Sequence, residues 1–158
     1  MRATTDLYDD FEGNCQTCST QFRDYGARKR FHGPLRTVKC FEDNVLFRQL
    51  LDEPGNGAVI VVDGNGSTAR ALMGDMLAAK ASANGWAGVI INGAIRDSAE
   101  LAAIDIGVKA LGVNPAKSDK QGDGHTDVPV EFGGARFSPG DWVYCDEDGV
   151  LVAPRKLD

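Results

Sequence analysis

The chain has 158 residues, of which 42% are hydrophobic, and its 23 acidic and 17 basic side chains give a net charge of −6. A chain of this length is expected to form one domain, residues 1–158, around a single core. The acidic balance excludes a protein that binds nucleic acid through a clustered basic face, because the densest basic run is only Arg28-Lys29-Arg30.

The sequence shows neither a secretory signal nor a membrane span. Residues 1–14 contain four acidic side chains where a signal peptide would have an apolar stretch. The longest aliphatic run, residues 58–62, is far shorter than the ~20 residues that a membrane helix needs. The pair Cys15 and Cys18 lacks the second pair of ligands that a zinc site requires. We therefore expect a soluble cytoplasmic protein with reduced thiols and no direct contact with membranes or nucleic acid.

The N-terminal part of the chain predicts a helix, an irregular segment and a strand. Thr4 or Thr5 can cap a short helix that stops at Gly13-Asn14. Residues 15–34 are polar and contain several turn signals, so we expect them to be irregular. Residues 35–41 predict a strand, and Glu42-Asp43-Asn44 then provides caps for a second helix.

The central part has the pattern of a β-α-β unit. Residues 58–62 form a β-branched run that is typical of a strand buried on both faces. Residues 68–73 are compatible with either a short strand or an irregular approach to the helix predicted from Gly74 to Asn84. Residues 88–92 predict a second buried strand. Two such strands should be parallel, with a right-handed crossover.

The C-terminal part changes from α/β to β-rich. Residues 98–104 predict a short helix and residues 108–113 a strand. Residues 114–124 contain a proline and two glycines and predict a loop, which we expect to be a mobile lid. Short strands separated by Gly-rich and Asp-rich turns then indicate β-hairpins. The predicted strands are residues 128–132, 142–145 and 150–152.

The helix start Gly74-Asp75-Met76-Leu77 and the later pair Arg96-Asp97 are the candidate functional residues. The first amides of a helix have no intrahelical partner, so they can bind a carboxylate or phosphate. The planar guanidinium of Arg96 can hold a carboxylate or enolate oxygen, and Asp97 can bind a hard divalent cation. Parallel strands bring both pieces to the carboxyl edge of the sheet, where open α/β sheets bind ligands. The combination suggests chemistry on an oxo acid.

Six short motifs, in order along the chain, closely resemble those of the RraA-like family, and the resemblance covers nearly the whole sequence. They are Phe41-Glu42-Asp43-Asn44, Val61-Val62-Asp63-Gly64, Gly74-Asp75-Met76-Leu77, Asn92-Gly93-Ala94-Ile95-Arg96-Asp97, Phe132-Gly133-Gly134 and Pro139-Gly140-Asp141.

That family includes protein regulators of ribonuclease E and metal-dependent aldolases that act on 4-hydroxy-4-methyl-2-oxoglutarate and also decarboxylate oxaloacetate. The resemblance implies an α/β/β swivelling-domain fold, with the central parallel sheet and C-terminal hairpins that the sequence pattern predicts. It also implies a homotrimer with an active site between subunits.

The aldolase members of the family are marked by an Asp, twenty residues and then Arg-Asp. Residues 76–95 separate Asp75 from Arg96-Asp97 in this chain, which matches that spacing. The resemblance assigns substrate contact to the backbone of Gly74, Asp75, Met76 and Leu77 and to the Arg96 side chain. It makes Asp97 the ligand of Mg²⁺ or Mn²⁺ and gives Asp75 a catalytic role through bound water.

Two alternatives to a lyase remain at this point. The chain could be a regulator that binds and inhibits ribonuclease E, as other members of the family are. It could also be an adaptor that binds proteins through its acidic surface, although that function has no motif of its own. One departure from the family pattern is Asn92-Gly93, which stands where relatives commonly have Asp-Gly.

Overall fold

The computed structural model describes residues 1–158 and contains four helices and twelve strands. In chain order they are α1 (Thr4–Phe11), β1 (Gln16–Cys18), β2 (Arg23–Asp24), β3 (Phe31–Lys39), α2 (Val45–Leu51), β4 (Val59–Asp63), β5 (Ala71–Met73), α3 (Asp75–Ala83), β6 (Gly88–Ile95), α4 (Ser98–Leu101), β7 (Gly107–Val113), β8 (His125–Thr126), β9 (Val130–Phe132), β10 (Ala135–Phe137), β11 (Trp142–Asp146) and β12 (Gly149–Ala153).

Four parallel strands form the centre of the main sheet, in the order β3, β4, β6 and β7. The hairpin of β11 and β12 continues the sheet antiparallel from β3, and β1 follows at the edge. The short strand β2 covers the opposite edge, on β7. The predicted central parallel sheet with C-terminal hairpins is confirmed.

Side chains of the central strands pack into two separate cores. Every residue of β4 is buried, and its side chains alternate between the two faces. Ile60 and Val62 pack in the core beneath α2, α3 and α4, whereas Val59 and Val61 pack in the core shared with β9 to β12. The α/β/β layering expected from the family resemblance follows from this alternation.

The first helix adds a further layer outside the hairpin. Leu7 of α1 is fully buried against Tyr144 and Leu151, which lie on the face of β11 and β12 turned away from the central sheet. Asp146 fixes the start of this helix, because its carboxylate accepts hydrogen bonds from both the amide and the hydroxyl of Thr4, each 2.7 Å long. The predicted helix is confirmed, but neither Thr4 nor Thr5 caps it, because both lie within the helix and its N-cap residue is Ala3.

The expectation that residues 15–34 are irregular is wrong. This segment contains β1, β2 and the first part of β3, which begins at Phe31 rather than at residue 35. The polar sequence is misleading because β1 and β2 are edge strands with exposed positions. Phe31 is buried because it packs in the core between the central sheet and the hairpin.

The other differences concern where strands begin and end. Residues 71–73 form β5, which settles the open choice at that segment in favour of a strand. Strand β6 runs on to Ile95, three residues beyond the predicted end, through a change of register between Ile91 and Ala94. As a consequence, Arg96 follows directly on the end of a buried strand.

None of the helices has both the length and the apolar character that crossing a membrane requires.

Candidate functional site

The ends of β5 and β6 bring the two candidate segments together. The strands run in parallel, and Met73 is paired with Ile95. The amide of Arg96 donates a hydrogen bond of 2.9 Å to the carbonyl of Met73. Because Gly74 and Arg96 follow paired residues, the start of α3 and the Arg96-Asp97 pair are neighbours in space, as the sequence predicted.

The carboxylate of Asp97 lies at the N-terminus of α3. Its Oδ2 atom accepts a hydrogen bond of 3.1 Å from the amide of Asp75, and no side chain of α3 itself caps that helix. A carboxylate is stabilised there by the unpaired amides and by the helix dipole. Oδ1 of Asp97 has no hydrogen-bond partner in the protein, so it is available to a ligand.

Asp97 holds this position through an unusual backbone conformation. Its φ of 58° and ψ of 41° lie in the left-handed region, which few residues other than glycine, asparagine and aspartate adopt readily. The turn directs the chain from β6 into α4, since the carbonyl of Asp97 accepts the amide of Leu101. Such a backbone conformation carries some strain, which persists only where the surrounding structure maintains it.

Gly74 is a point of close approach between the two segments. A Cβ atom at this position would lie 2.5 Å from Oδ2 of Asp97 and 3.5 Å from Nε of Arg96. The backbone of Gly74 is extended, so the advantage of glycine here is the space that it leaves for the end of the Asp97 side chain and not its conformational freedom. The guanidinium group therefore lies beside the helix start, which the sequence-based proposal requires.

Arg96 borders a cavity of about 220 Å³ that Asp97, Val113, Asn114 and Pro115 also line. The side chain is exposed and has no carboxylate within ion-pair distance, and its only hydrogen bond is a long one, 3.5 Å, to the carbonyl of Pro115. The volume is below the ~300–1,000 Å³ of sites for drug-sized molecules, so it suits a small acid.

A larger cavity, of about 560 Å³, lies elsewhere, beside His32 and Trp142. Its arginines, Arg28 and Arg30, already form ion pairs with Asp105 and Glu147. The smaller cavity is the stronger candidate because its guanidinium group has no such partner.

The remaining predicted residues belong to the first turn of α3. The amides of Met76 and Leu77 precede the first helical hydrogen bond, which the amide of Ala78 donates to the carbonyl of Gly74. Asp75 is half-buried and its carboxylate makes no hydrogen bond within the protein. The turn thus offers two amides and one carboxylate beside Arg96 and Asp97.

A second polar network adjoins this group, and the sequence gave it no role beyond helix capping. The side-chain amide of Asn44 donates to the carbonyl of Leu72 at 2.9 Å, two residues before Gly74. Its oxygen accepts a hydrogen bond of 2.5 Å from the ammonium of Lys120, which also lies 3.1 Å from the hydroxyl of Ser118. Lys120 follows no local pattern, so sequence reasoning had no signal by which to find it.

The loop at residues 114–124 is anchored to the sheet edge at several points. The carboxylate of Asp43 accepts hydrogen bonds from the amides of Gln121 and Gly122, at 2.6 and 3.0 Å, and the carbonyl of Ala116 accepts one from Ala71 at 2.7 Å. Burial alone would raise the pKa of Asp43, but these amides and that of Val45 together hold it below its usual value. The structure shows a loop, as predicted, with both of its halves attached to neighbouring segments.

The departure at Asn92 has a structural reason. Asn92 and Asp63 are both buried on neighbouring strands, and the Asn92 side-chain amide donates to Oδ1 of Asp63 at 3.0 Å. The amide of Asn65 donates to the same oxygen at 2.9 Å. An aspartate at position 92 would bring a second acceptor against this carboxylate, whereas asparagine supplies a donor.

The donor set can be compared with what metals require. No three His, Cys, Asp or Glu side chains lie close enough to form a protein-only metal site, which argues against a structural zinc centre. Magnesium is commonly held by one or two carboxylates, by waters and by the substrate itself. Asp97, an oxygen ligand with one free oxygen beside an open cavity, fits Mg²⁺ or Mn²⁺ of that kind.

Comparison with known proteins agrees with this architecture. The RraA-like family model, described as "Aldolase/RraA", matches residues 4–152. A protein of Alkalilimnicola ehrlichii named "Putative 4-hydroxy-4-methyl-2-oxoglutarate aldolase" is 57% identical over 154 residues, which is 98% of this chain and 96% of that protein.

Two solved structures share the fold over almost the full length of both chains. One, titled S-adenosylmethionine: 2-dimethylmenaquinone methyltransferase from Geobacillus kaustophilus HTA426, is 52% identical with a TM-score of 0.97 and covers 99% of this chain and 97% of that one. The other, the RNA-processing inhibitor RraA from Thermus thermophilis, is 43% identical with a TM-score of 0.97 and covers 100% and 96%. Because these names describe different activities on one fold, the site residues must distinguish among them.

The close approach at Gly74 leads to a prediction about stability. Gly74→Ala should lower the free energy of unfolding by about 1–3 kcal/mol, since the new methyl group overlaps the Asp97 carboxylate. The same substitution in an Asp97→Gly background should cost less, because the overlapping group is then gone. Urea denaturation of the four proteins measures the coupling. Equal costs in both backgrounds would show that the carboxylate is not the obstacle.

Proposed function

The chain belongs to the RraA-like family, and from this premise we propose that it is a divalent-metal-dependent carbon-carbon lyase acting on pyruvyl-type 2-oxo acids. The proposed reactions are aldol cleavage of 4-hydroxy-4-methyl-2-oxoglutarate and decarboxylation of oxaloacetate. One observation carries the proposal: Arg96 and the Asp97 carboxylate are packed against Gly74 at the amino end of α3.

Both reactions leave the enolate of pyruvate, so the main task of the site is to stabilise developing negative charge. Arg96 can donate to the oxygen that becomes the enolate, because its guanidinium group has no competing carboxylate. The amides of Met76 and Leu77 can hold the substrate carboxylate at the positive end of the helix dipole. A Mg²⁺ or Mn²⁺ ion held by Asp97 would add Lewis-acid polarisation of the substrate carbonyl.

The two reactions differ in what else they require. Aldol cleavage needs a base that removes the proton of the 4-hydroxyl group, and Asp75 acting through a water molecule is our candidate. Its carboxylate is half-buried beside the helix start and has no hydrogen-bond partner of its own in the protein. Decarboxylation needs no such proton removal, so it depends only on the groups that stabilise the enolate.

The relative from Alkalilimnicola ehrlichii supports an aldolase by its name and by its 57% identity. Identity over nearly the full length of both chains does not by itself choose between the activities in this family, since the RNA-processing inhibitor from Thermus thermophilis is 43% identical. The complete spacing of Asp75 and Arg96-Asp97, together with the packing at Gly74, is what favours the lyase here.

The first test uses purified protein, oxaloacetate and Mg²⁺. Pyruvate should form faster than with the metal alone, and the excess should disappear on chelation. Arg96→Ala should lower the rate by ~10²–10³, the usual effect of removing a group that stabilises transition-state charge.

The matched control is Arg70→Ala, which removes an exposed guanidinium that contacts only the carbonyl of Lys117. This variant should stay close to the wild-type rate. Wild-type activity in Arg96→Ala, measured as pyruvate released per minute, would contradict the lyase proposal. A panel of 4-hydroxy-2-oxo acids in the same assay would define the substrate.

We further propose that the chain works as a homotrimer with the site near a subunit boundary. Met76, Phe41 and Val113 are large hydrophobic residues with 83%, 59% and 55% of their surface exposed. Each of them lies at or just after the carboxyl end of a parallel strand. Val113 also lines the cavity beside Arg96. Exposed apolar groups gathered around a site are typical of a surface that another subunit covers.

If the chain forms a homotrimer, sedimentation equilibrium at micromolar protein concentration should give the mass of three chains. Met76→Glu should shift the mass toward the single chain, because a charge would replace an apolar contact. Lys29→Glu, on the opposite part of the sheet, is the control and should leave the mass unchanged. A wild-type protein of one-chain mass at assay concentration would overturn the trimer.

The alternative function is regulation of ribonuclease E by direct protein binding, which the similarity to the Thermus thermophilis inhibitor favours. The expected result is slower RNA cleavage by ribonuclease E without affinity of this chain for RNA, since its net charge is −6. Arg96→Ala should retain this inhibition, which would separate it from the lyase activity. Absence of a complex at micromolar concentrations, measured by analytical ultracentrifugation, would exclude this alternative.

A further inference from the structure

Unpaired basic side chains are gathered around the candidate site. Seven of the 17 Lys and Arg residues form ion pairs with carboxylates. Arg48, Arg96, Lys117 and Lys120 are not among them, and the positive charges of the other three all act on the Lys120 ammonium. Four basic side chains without a carboxylate ion-pair partner therefore lie at the carboxyl edge of the sheet, in a region that also contains the carboxylates of Asp43 and Asp97.

Lys120 is the member of this group that is held in a defined place. Its ammonium donates to two neutral groups, Oδ1 of Asn44 and the hydroxyl of Ser118. The nearby carboxylate of Asp43 is occupied by backbone amides and is not within ion-pair distance of Lys120. Burial lowers the pKa of Lys120, and the charges of Arg48, Arg96 and Lys117 lower it further, while the Asp43 carboxylate acts in the opposite direction.

The loop that carries Lys120 connects it to both parts of the site. The loop begins beside Arg96, whose guanidinium contacts the carbonyl of Pro115. At its other end, Lys120 is joined through Asn44 to the carbonyl of Leu72, at the end of the strand that leads into Gly74. Lys120 is thus linked to the strand that precedes α3, and Arg96 lies beside the start of that helix.

We propose that Lys120 is a specificity-determining residue that binds the second carboxylate of a dicarboxylic 2-oxo acid. Arg96 and the amides of α3 hold the pyruvyl end, and the ammonium of Lys120 pairs with the distal carboxylate through a charge-assisted hydrogen bond. This inference rests on the proposed function, because it takes the pyruvyl end of the ligand as bound at Arg96. It goes further in naming the residue that selects dicarboxylic over monocarboxylic substrates.

Two unreactive ligands test the assignment without turnover. 2-Oxoglutarate and 2-oxopentanoate have the same chain length, and only the first has a distal carboxylate. Calorimetric titration in the presence of Mg²⁺ should show that wild-type protein prefers 2-oxoglutarate by about tenfold or more. Lys120→Met should remove that preference and leave the affinity for 2-oxopentanoate within about twofold, since a charged hydrogen bond to one ligand alone is lost.

The matched control is Lys117→Met, which removes the same charge from the same loop. The Lys117 ammonium, unlike that of Lys120, makes no hydrogen bond to Asn44 or Ser118. This variant should keep most of the preference. Equal loss in Lys117→Met and Lys120→Met would overturn the proposal, because it would show a general effect of local charge. A preference retained in Lys120→Met, or absent from the wild type, would overturn it as well.

A second variant separates binding from structural support. Lys120→Gln can still donate to Asn44 but has no charge, so it should lose the preference while keeping a wild-type melting temperature. If Lys120 only anchored the loop, Lys120→Gln would retain the preference, and the proposal would be wrong. Because the ligands are not cleaved, these results are independent of the pyruvate assay, whose failure would reject the lyase and leave the binding preference standing.

Discussion

The hydrogen bond from the amide of Asp75 to the Asp97 carboxylate joins the two halves of the site. One partner opens a helix and the other follows the end of a strand, so neither segment alone contains the interaction. The bond is made where Asp97 adopts a left-handed turn and Gly74 leaves room for its carboxylate. With these in place, the guanidinium of Arg96 is held beside the helix amides. The chemistry proposed for the site depends on that juxtaposition.

Four basic side chains at the sheet edge lack carboxylate ion-pair partners, although the molecule as a whole is acidic. A net charge of −6 would repel a dicarboxylic acid at long range, yet Arg96, which has no carboxylate partner, lines the cavity, and its charge and those of Arg48 and Lys117 act on Lys120. Local fields of this kind act over about a Debye length, ~8–10 Å at physiological salt. Under the proposed function, this arrangement would let an acidic protein receive an acidic ligand at one place on its surface.

How far the sequence determined these features differs from one element to the next. The β-α-β unit followed from the β-branched run at residues 58–62, the helix signals after Gly74 and the second apolar strand. The edge strands β1 and β2 did not, because exposed strands of two or three residues have the composition of a loop. Strand β6 was predicted too short, since Asn92-Gly93 reads as a turn although the chain continues through it.

The candidate site likewise contains features that the sequence predicted and features that it did not. The spacing of Asp75 and Arg96-Asp97 was visible in the sequence, and parallel strands explain why these residues meet. The role of Asp97 as a cap for a helix in another part of the chain was not visible, because the contact depends on the pairing of β5 with β6. Lys120 was missed for a related reason: its partner, Asn44, lies 76 residues earlier.

The attachment of the loop at residues 114–124 bears on how an acid would associate with this surface. The loop is held in place by two sets of hydrogen bonds. Asp43 accepts from two of its amides, and Lys120 donates to Asn44 and Ser118. A binding surface that is ordered in advance loses little conformational entropy when a ligand arrives, so more of the interaction energy appears as affinity. Such preorganisation favours binding without a step in which a segment must first close, in contrast to the mobile lid expected from the sequence.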